Sequence, residues 1–165
     1  MKKQTLKMDE LVASGLYPVI NSGRTFYGFY NKFNNEGNAF TIAARGEYAG
    51  FSNYSSCRFW AGGLCYPYRS KDELFLLTKF AYYYLKSKEA KIMETLVARG
   101  SIPAINKADI DNFLLPIPPL EEQERIVGIL DRFDVLCNDI AAGLPAEIEA
   151  RRKQYEYYRE KLLSF

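Results

Sequence analysis

The 165-residue chain contains no histidine. That absence removes the commonest general base, the serine and cysteine dyads that depend on it, and most zinc sites. Cysteine is scarce as well. Cys57, Cys65 and Cys137 make an odd number, and neither a secretory leader nor a long apolar run accompanies them. A disulfide framework and a membrane partner are not expected; a reduced, cytoplasmic protein is, with Cys57 and Cys65 as small buried apolar residues. No glycine-rich loop runs into Lys-Ser or Lys-Thr, and no dinucleotide fingerprint opens a helix. Asp109 and Asp111 lack the later bidentate glutamate of a calcium loop. Glu89-Ala90-Lys91 has the bare Glu-x-Lys spacing of some nucleases, but it falls in a predicted helix with no acidic partner in a strand. It reads as solvated helix surface. Neither a catalytic residue nor a cofactor is expected of this chain.

What is present is apolar and aromatic: 48% hydrophobic residues and 15% aromatics are enough for one core. The net charge of +2 divides unevenly. Residues 1–120 hold 15 Lys and Arg against 10 Asp and Glu, whereas residues 121–165 hold 7 against 10. A basic domain suits a polyanion and an acidic tail suits a protein partner.

Taken in order, the basic start gives way to Tyr17-Pro18-Val19-Ile20, a strand with its proline near the beginning. Asn21-Ser22-Gly23 reads as a turn leading into the aromatic cluster around Arg24, which most simply means core. Residues 31–38, with four asparagines and a glycine, form a loop. AFTIAA is a buried strand handing over to Arg45-Gly46-Glu47-Tyr48-Ala49-Gly50. That loop is either a ligand-approaching display of side chains or a tight hairpin with solvated charges. CRFWA and LCYPYR are predicted to be two strands of a hairpin turning at Gly62-Gly63, with Trp60 inside. Ser70 to Glu73 has capping-box spacing, so a helix is predicted from there through Lys86 with Leu74, Leu77, Ala81, Tyr84 and Leu85 on one face. A second helix is predicted over Glu89–Ala98, a strand at SIPAI, and a short helix capped by Asn106.

The last fifty residues carry two helical seams. Ile126, Leu130, Phe133, Cys137 and Ile140 follow one another at spacings of four and three, as do Tyr155, Tyr158, Leu162 and Phe165, with Ile148 seven residues before Tyr155. Gly143 and Pro145 predict a break at 143–145. Pro116, Pro118 and Pro119 ahead of the first seam make a stiff strut. The expected organisation is an α/β (α+β) domain of mixed strands and helices over 1–119, and a helical arm over 120–165 that forms an antiparallel coiled-coil-like dimer.

The run GSIPAINKADIDNFLLPIPPLEEQERIVGILDRFD, continued by GLPAEIEARRKQYEYYREKLLSF, resembles the distal end of a target recognition domain and the helical region that follows it in Type I restriction-modification specificity subunits. YPVINSGRTFYGFYN and TIAARGEYAGFSNY resemble motifs of the same domains, so the resemblance covers roughly residues 16–165. Members usually carry two such domains in tandem. This chain has one of each part and resembles a half-subunit, with the short MKKQTLKMDELVASG where a strand and helix are expected.

The resemblance implies sequence-specific reading of one half of a bipartite site in double-stranded DNA, without chemistry of its own. It further implies a homodimer and methyltransferase partners that bring S-adenosylmethionine, with a nuclease or translocase subunit as a further partner. Arg24, Arg45, Arg69, Asn21 and Asn53 lie in predicted loops and suit bidentate contacts to base edges. Tyr27, Tyr48 and Tyr54 suit bases or phosphates, and Ser22 and Lys71 suit backbone anchoring. The dimer seam is expected at Ile126, Leu130, Phe133, Ile140, Ile148, Tyr155, Tyr158, Leu162 and Phe165. The alternative is an orphan or truncated fragment that acts as a protein interaction module without reading DNA.

Overall fold

The computed structural model describes residues 6, 10–12, 14–135 and 153–154. The chain divides into two compact units, residues 1–124 and 125–165. The first is a mixed strand and helix domain, the class expected from the strands and helices read along the sequence.

Six short strands build two three-stranded sheets. β1 (Tyr17–Ile20) lies between antiparallel β2 (Gly28–Tyr30) and parallel β5 (Trp60–Ala61). β3 (Ala39–Ala43) lies between β4 (Ser52–Ser55) and β6 (Cys65–Tyr68), antiparallel to both. The hairpin expected at Gly62-Gly63 is therefore not one. Its two arms leave the turn for different sheets, because Trp60 and Ala61 find Val19 and Ile20, while Cys65 and Tyr66 find Ala43 and Ile42. Gly62 is required at the junction: its N–H bonds the Ile20 carbonyl, and a Cβ there would stand 2.7 Å from the Asn21 side-chain oxygen.

All five residues of β3 are buried, as a strand covered on both faces must be. One face meets the helices, where Phe40 and Ile42 pack with Ala81, Leu85, Ile92, Ile105 and Ile110. A second cluster, Ile20, Ala39, Phe59, Ala61 and Cys65, joins the two sheets. Trp60 is buried as expected, although its indole N–H has no hydrogen-bond acceptor. Cys65 is buried but Cys57 is exposed, which corrects the expectation for the latter; Cys137 lies outside the described residues.

Helix α1 spans Thr78–Ser87, not Ser70 onward. The Ser70 hydroxyl is engaged locally with the Asp72 backbone, and the Glu73 carboxylate reaches forward instead of back. It accepts the Thr78 N–H at 3.1 Å and hydroxyl at 2.6 Å, and the Asn38 amide at 3.0 Å. Leu74, expected on the buried face, is 81% exposed. Helix α2 (Glu89–Thr95) stops before Ala98, and α3 (Lys107–Asp111) begins after Asn106 without a side-chain cap. SIPAI forms no named strand, only two isolated bridges, of Ala104 with Arg45 and with Ala98.

Residues 120–135 are helical. Gln123 in this stretch is fully buried: its Oε1 accepts the Leu77 N–H at 2.9 Å, and its amide nitrogen donates to the carbonyls of Phe75 and Pro118. Of the expected seam, Ile126 and Leu130 are half-buried and Phe133 is exposed. Ile140, Ile148, Tyr155, Tyr158, Leu162 and Phe165, and the break at 143–145, lie outside the described residues.

Candidate nucleic-acid interface

The loop after β1 carries the first group. Asn21 does not point outward: its side-chain oxygen accepts the Leu64 N–H at 3.0 Å and holds the start of β6. Asn53, on β4, gives its amide to the Gly23 carbonyl at 3.1 Å. Two of the expected readers thus tie loops to strands. Ser22 is half-buried between them, and Tyr27 is exposed beyond.

Arg24 is exposed and lies on aromatic faces. Its guanidinium carbon is 4.9 Å from the Tyr48 ring centroid and 5.8 Å from that of Phe51. Tyr48 reaches it from the glycine-flanked loop after β3, where Gly46 and Gly50 take the left-handed conformation at φ 94° and 91°. Both glycines shape a tight turn in which the Ala49 N–H bonds the Gly46 carbonyl, so Arg45 is left exposed at its rim. Sequence spacing left open whether this loop displays side chains or merely turns; here the loop both turns and brings Tyr48 to Arg24.

A second group surrounds a cleft of roughly 530 Å³ beside β6, where Arg69 and Lys71 face Asn34, Asn35 and Glu36. Asn34 is committed to β5, exchanging two hydrogen bonds with the Ala61 backbone. Glu36 pairs with Arg58 at 2.8 Å. Tyr54 is also engaged, its hydroxyl donating to Asn38 at 2.8 Å. Close by, the Tyr68 hydroxyl donates to Asp111, which Lys107 also holds at 2.7 Å. Burial and that bond push the Tyr68 phenol upward, while Lys107 and then Tyr68 hold the Asp111 carboxyl below its ordinary value.

Arg58, Lys86 and Lys107 are engaged in ion pairs, whereas Arg24, Arg45, Arg69 and Lys71 stand exposed outside these pairs. What spacing did not suggest is the part played by Phe51, whose ring lies beside Arg24 and 3.9 Å from the Lys86 ammonium, itself paired with Glu89. No group of three or more potential metal ligands occurs among the described residues, and no described helix is long and apolar enough to cross a membrane.

Residues 1–150 match the family described as the Type I restriction modification DNA specificity domain. The chain belongs to this family. Among curated relatives, the EcoR124I/EcoR124II specificity subunit of Escherichia coli is 45% identical over 91 residues, which is 54% of this chain and 22% of that protein. The MpnII specificity subunit of Mycoplasma pneumoniae is 38% identical over 118 residues, 72% of this chain and 34% of the relative. The chain thus spans about a fifth to a third of these specificity subunits. In three dimensions it is similar to the S subunit of a Type I restriction-modification system from M. genitalium, with a TM-score of 0.70 and 30% identity over 99% of this chain and 42% of that one. The two-sheet specificity domain described above is therefore a fold shared with a solved S subunit.

Proposed function

We propose that residues 1–119 read one half of a bipartite site in double-stranded DNA, and that residues 120–165 form a helical arm that pairs antiparallel with a second copy and docks methyltransferase subunits. The chain itself is non-catalytic on this reading, the methyl donor S-adenosylmethionine being bound by the partner. The observation that carries it is the grouping of exposed cations on two features of the domain: Arg24 and Arg45 on the loops that meet at Tyr48, and Arg69 and Lys71 on the cleft beside β6. Guanidinium groups suit bidentate contacts to guanine, and an ammonium suits a phosphate. Tyr48, Tyr27 and Ser22 lie within the same loops. Asn21 and Asn53 serve by holding the loop after β1 in place, and Tyr54 by holding Asn38 just ahead of β3. Phe133 supports the arm's part, being a seam residue 59% exposed in the single chain.

The test is selection from a library of duplexes with a randomised core, using the full 165-residue chain. A defined half-site should emerge. Arg24→Ala or Arg45→Ala should relax preference at one position by about 1–3 kcal/mol, whereas Lys71→Ala should weaken all sequences alike and reduce the salt dependence. A wild-type chain that selects no sequence would refute the reading.

A further inference from the structure

The helix pair behind the Arg24 loop is built in a way that solvated surface does not require. Strand β4 is an edge strand, and the Ser52 N–H is not taken by a neighbouring strand. Glu89, at the first position of α2, fills the gap: one carboxylate oxygen accepts the Ser52 N–H at 2.8 Å and its hydroxyl at 2.7 Å. Lys86, in the last turn of α1, donates to both oxygens of that carboxylate, at 2.8 and 3.1 Å, and to the Ser52 carbonyl at 3.1 Å. The same ammonium stands 3.9 Å from the centroid of the Phe51 ring. Phe51 is in turn 6.4 Å from Tyr48, centroid to centroid, and together these two rings carry the Arg24 guanidinium. Asn53, which follows Ser52, donates its amide to the Gly23 carbonyl beside Arg24. Three consecutive residues, Phe51 to Asn53, therefore receive the Lys86–Glu89 pair on one side and fix the arginine loop on the other.

We infer that Lys86 and Glu89, acting through Phe51, are positioning residues that pre-set Arg24 for base reading. The inference rests on the DNA-reading function proposed above and adds to it which residues set its selectivity. A long arginine side chain gives up rotamer freedom when it docks on a base, and a guanidinium already held against two rings gives up less. Cation–ring attraction of this kind strengthens where the groups are partly desolvated; the side chains of Lys86 and Glu89 are 34% and 17% exposed. Lys86 is not itself a phosphate anchor, because its donors are spent on Glu89 and the Ser52 carbonyl. Loss of the pair should therefore blur sequence preference and leave the salt dependence of binding unchanged.

Two measurements on the full-length chain test this. The first is the Arg24 Nε–H resonance, which ring currents from Tyr48 and Phe51 displace in the wild type. In Glu89→Gln, Lys86→Met and Phe51→Leu it should move to the position of a free surface arginine. The second is selection from the randomised duplex library, in which the same variants should lose preference at the Arg24 position on the order of tenfold, with an unchanged salt slope. Thermal melting identifies folded variants, and Lys86→Met, which keeps the apolar stem, serves where Glu89→Gln does not fold. An unmoved Arg24 resonance, a preserved preference in the variants, or a salt slope lowered by about one in Lys86→Met would each overturn the inference. A wild type without preference overturns the DNA-reading function itself, and in that case the resonance still decides whether the stack is held from Lys86 and Glu89.

Discussion

At the scale of single residues, the domain relies on polar side chains that satisfy backbone groups far away in sequence. Gln123 is the clearest, since it is fully buried and serves Leu77, Phe75 and Pro118 at once. Gln123→Leu keeps the bulk but strands one N–H and two carbonyls, each costing about 1–3 kcal/mol unless water reaches it. A loss on the order of 3 kcal/mol in urea unfolding, with the m-value unchanged, is expected. Tyr68 and Asp111 supply a pH dependence. The Tyr68 phenol is raised above its ordinary 10.0 by burial first and by Asp111 second, so its stabilising effect is complete below that value and is lost as pH rises past it. Asp111 is lowered beneath its ordinary 3.8, by Lys107 first, so its effect is present above that value and lost as pH falls through the depressed one. The advantage of wild type over Tyr68→Phe in melting temperature should thus be greatest between these limits and shrink toward both. An advantage that keeps growing into alkali would contradict the assigned bond.

Among elements, the start of α1 separates two accounts of how a helix begins. If Ser70 and Glu73 formed a capping box, either substitution would hurt; with Glu73 holding Thr78 and Asn38, only one should. Glu73→Ala is expected to cost on the order of 2 kcal/mol, and Ser70→Ala about 0.5 kcal/mol or less, in equilibrium unfolding. The error in reading Ser70 is instructive. Sequence gives the reach of a glutamate but not its direction, and Thr78, buried and five residues on, offers the carboxylate two donors, its N–H and its hydroxyl. Strands β1 and β3 were legible because YPVI and AFTIA are short, largely apolar runs bounded by turn residues, and both are almost wholly buried. The partners of β5 and β6 were not, since nothing near Gly62 in the chain records that Val19 and Ala43 lie across from Trp60 and Cys65. Arg24 and Tyr48 were each legible as loop residues, and their meeting was not. Glu89 read as solvated helix surface with Lys91, because the strand edge at Ser52 that claims its carboxylate is far off in sequence.

For the molecule as a whole, the proposed pairing of two reading domains through their arms predicts an interrupted palindrome, because a two-fold axis presents the same half-site in opposite orientations. Seven residues inserted near Ala150 would preserve the heptad face and separate the two domains by roughly 10 Å, about three base pairs. Methylation mapping with the partner methyltransferase should then find unchanged half-sites and a spacer longer by about three base pairs. An unchanged spacer in an active insertion variant would sink the antiparallel arm. The crossing of the chain at Gly62 bears on something else, the order in which the domain can assemble. Each sheet waits for a strand from the 60–68 stretch: β1 for Trp60 and Ala61, β3 for the strand from Cys65 to Tyr68. A nascent chain that has emerged only as far as Phe59 can close neither, and once the stretch is out both close on the same event. The two sheets should therefore share one folding transition of high contact order, slow for its size, with stable intermediates that contain one sheet alone absent from its kinetics.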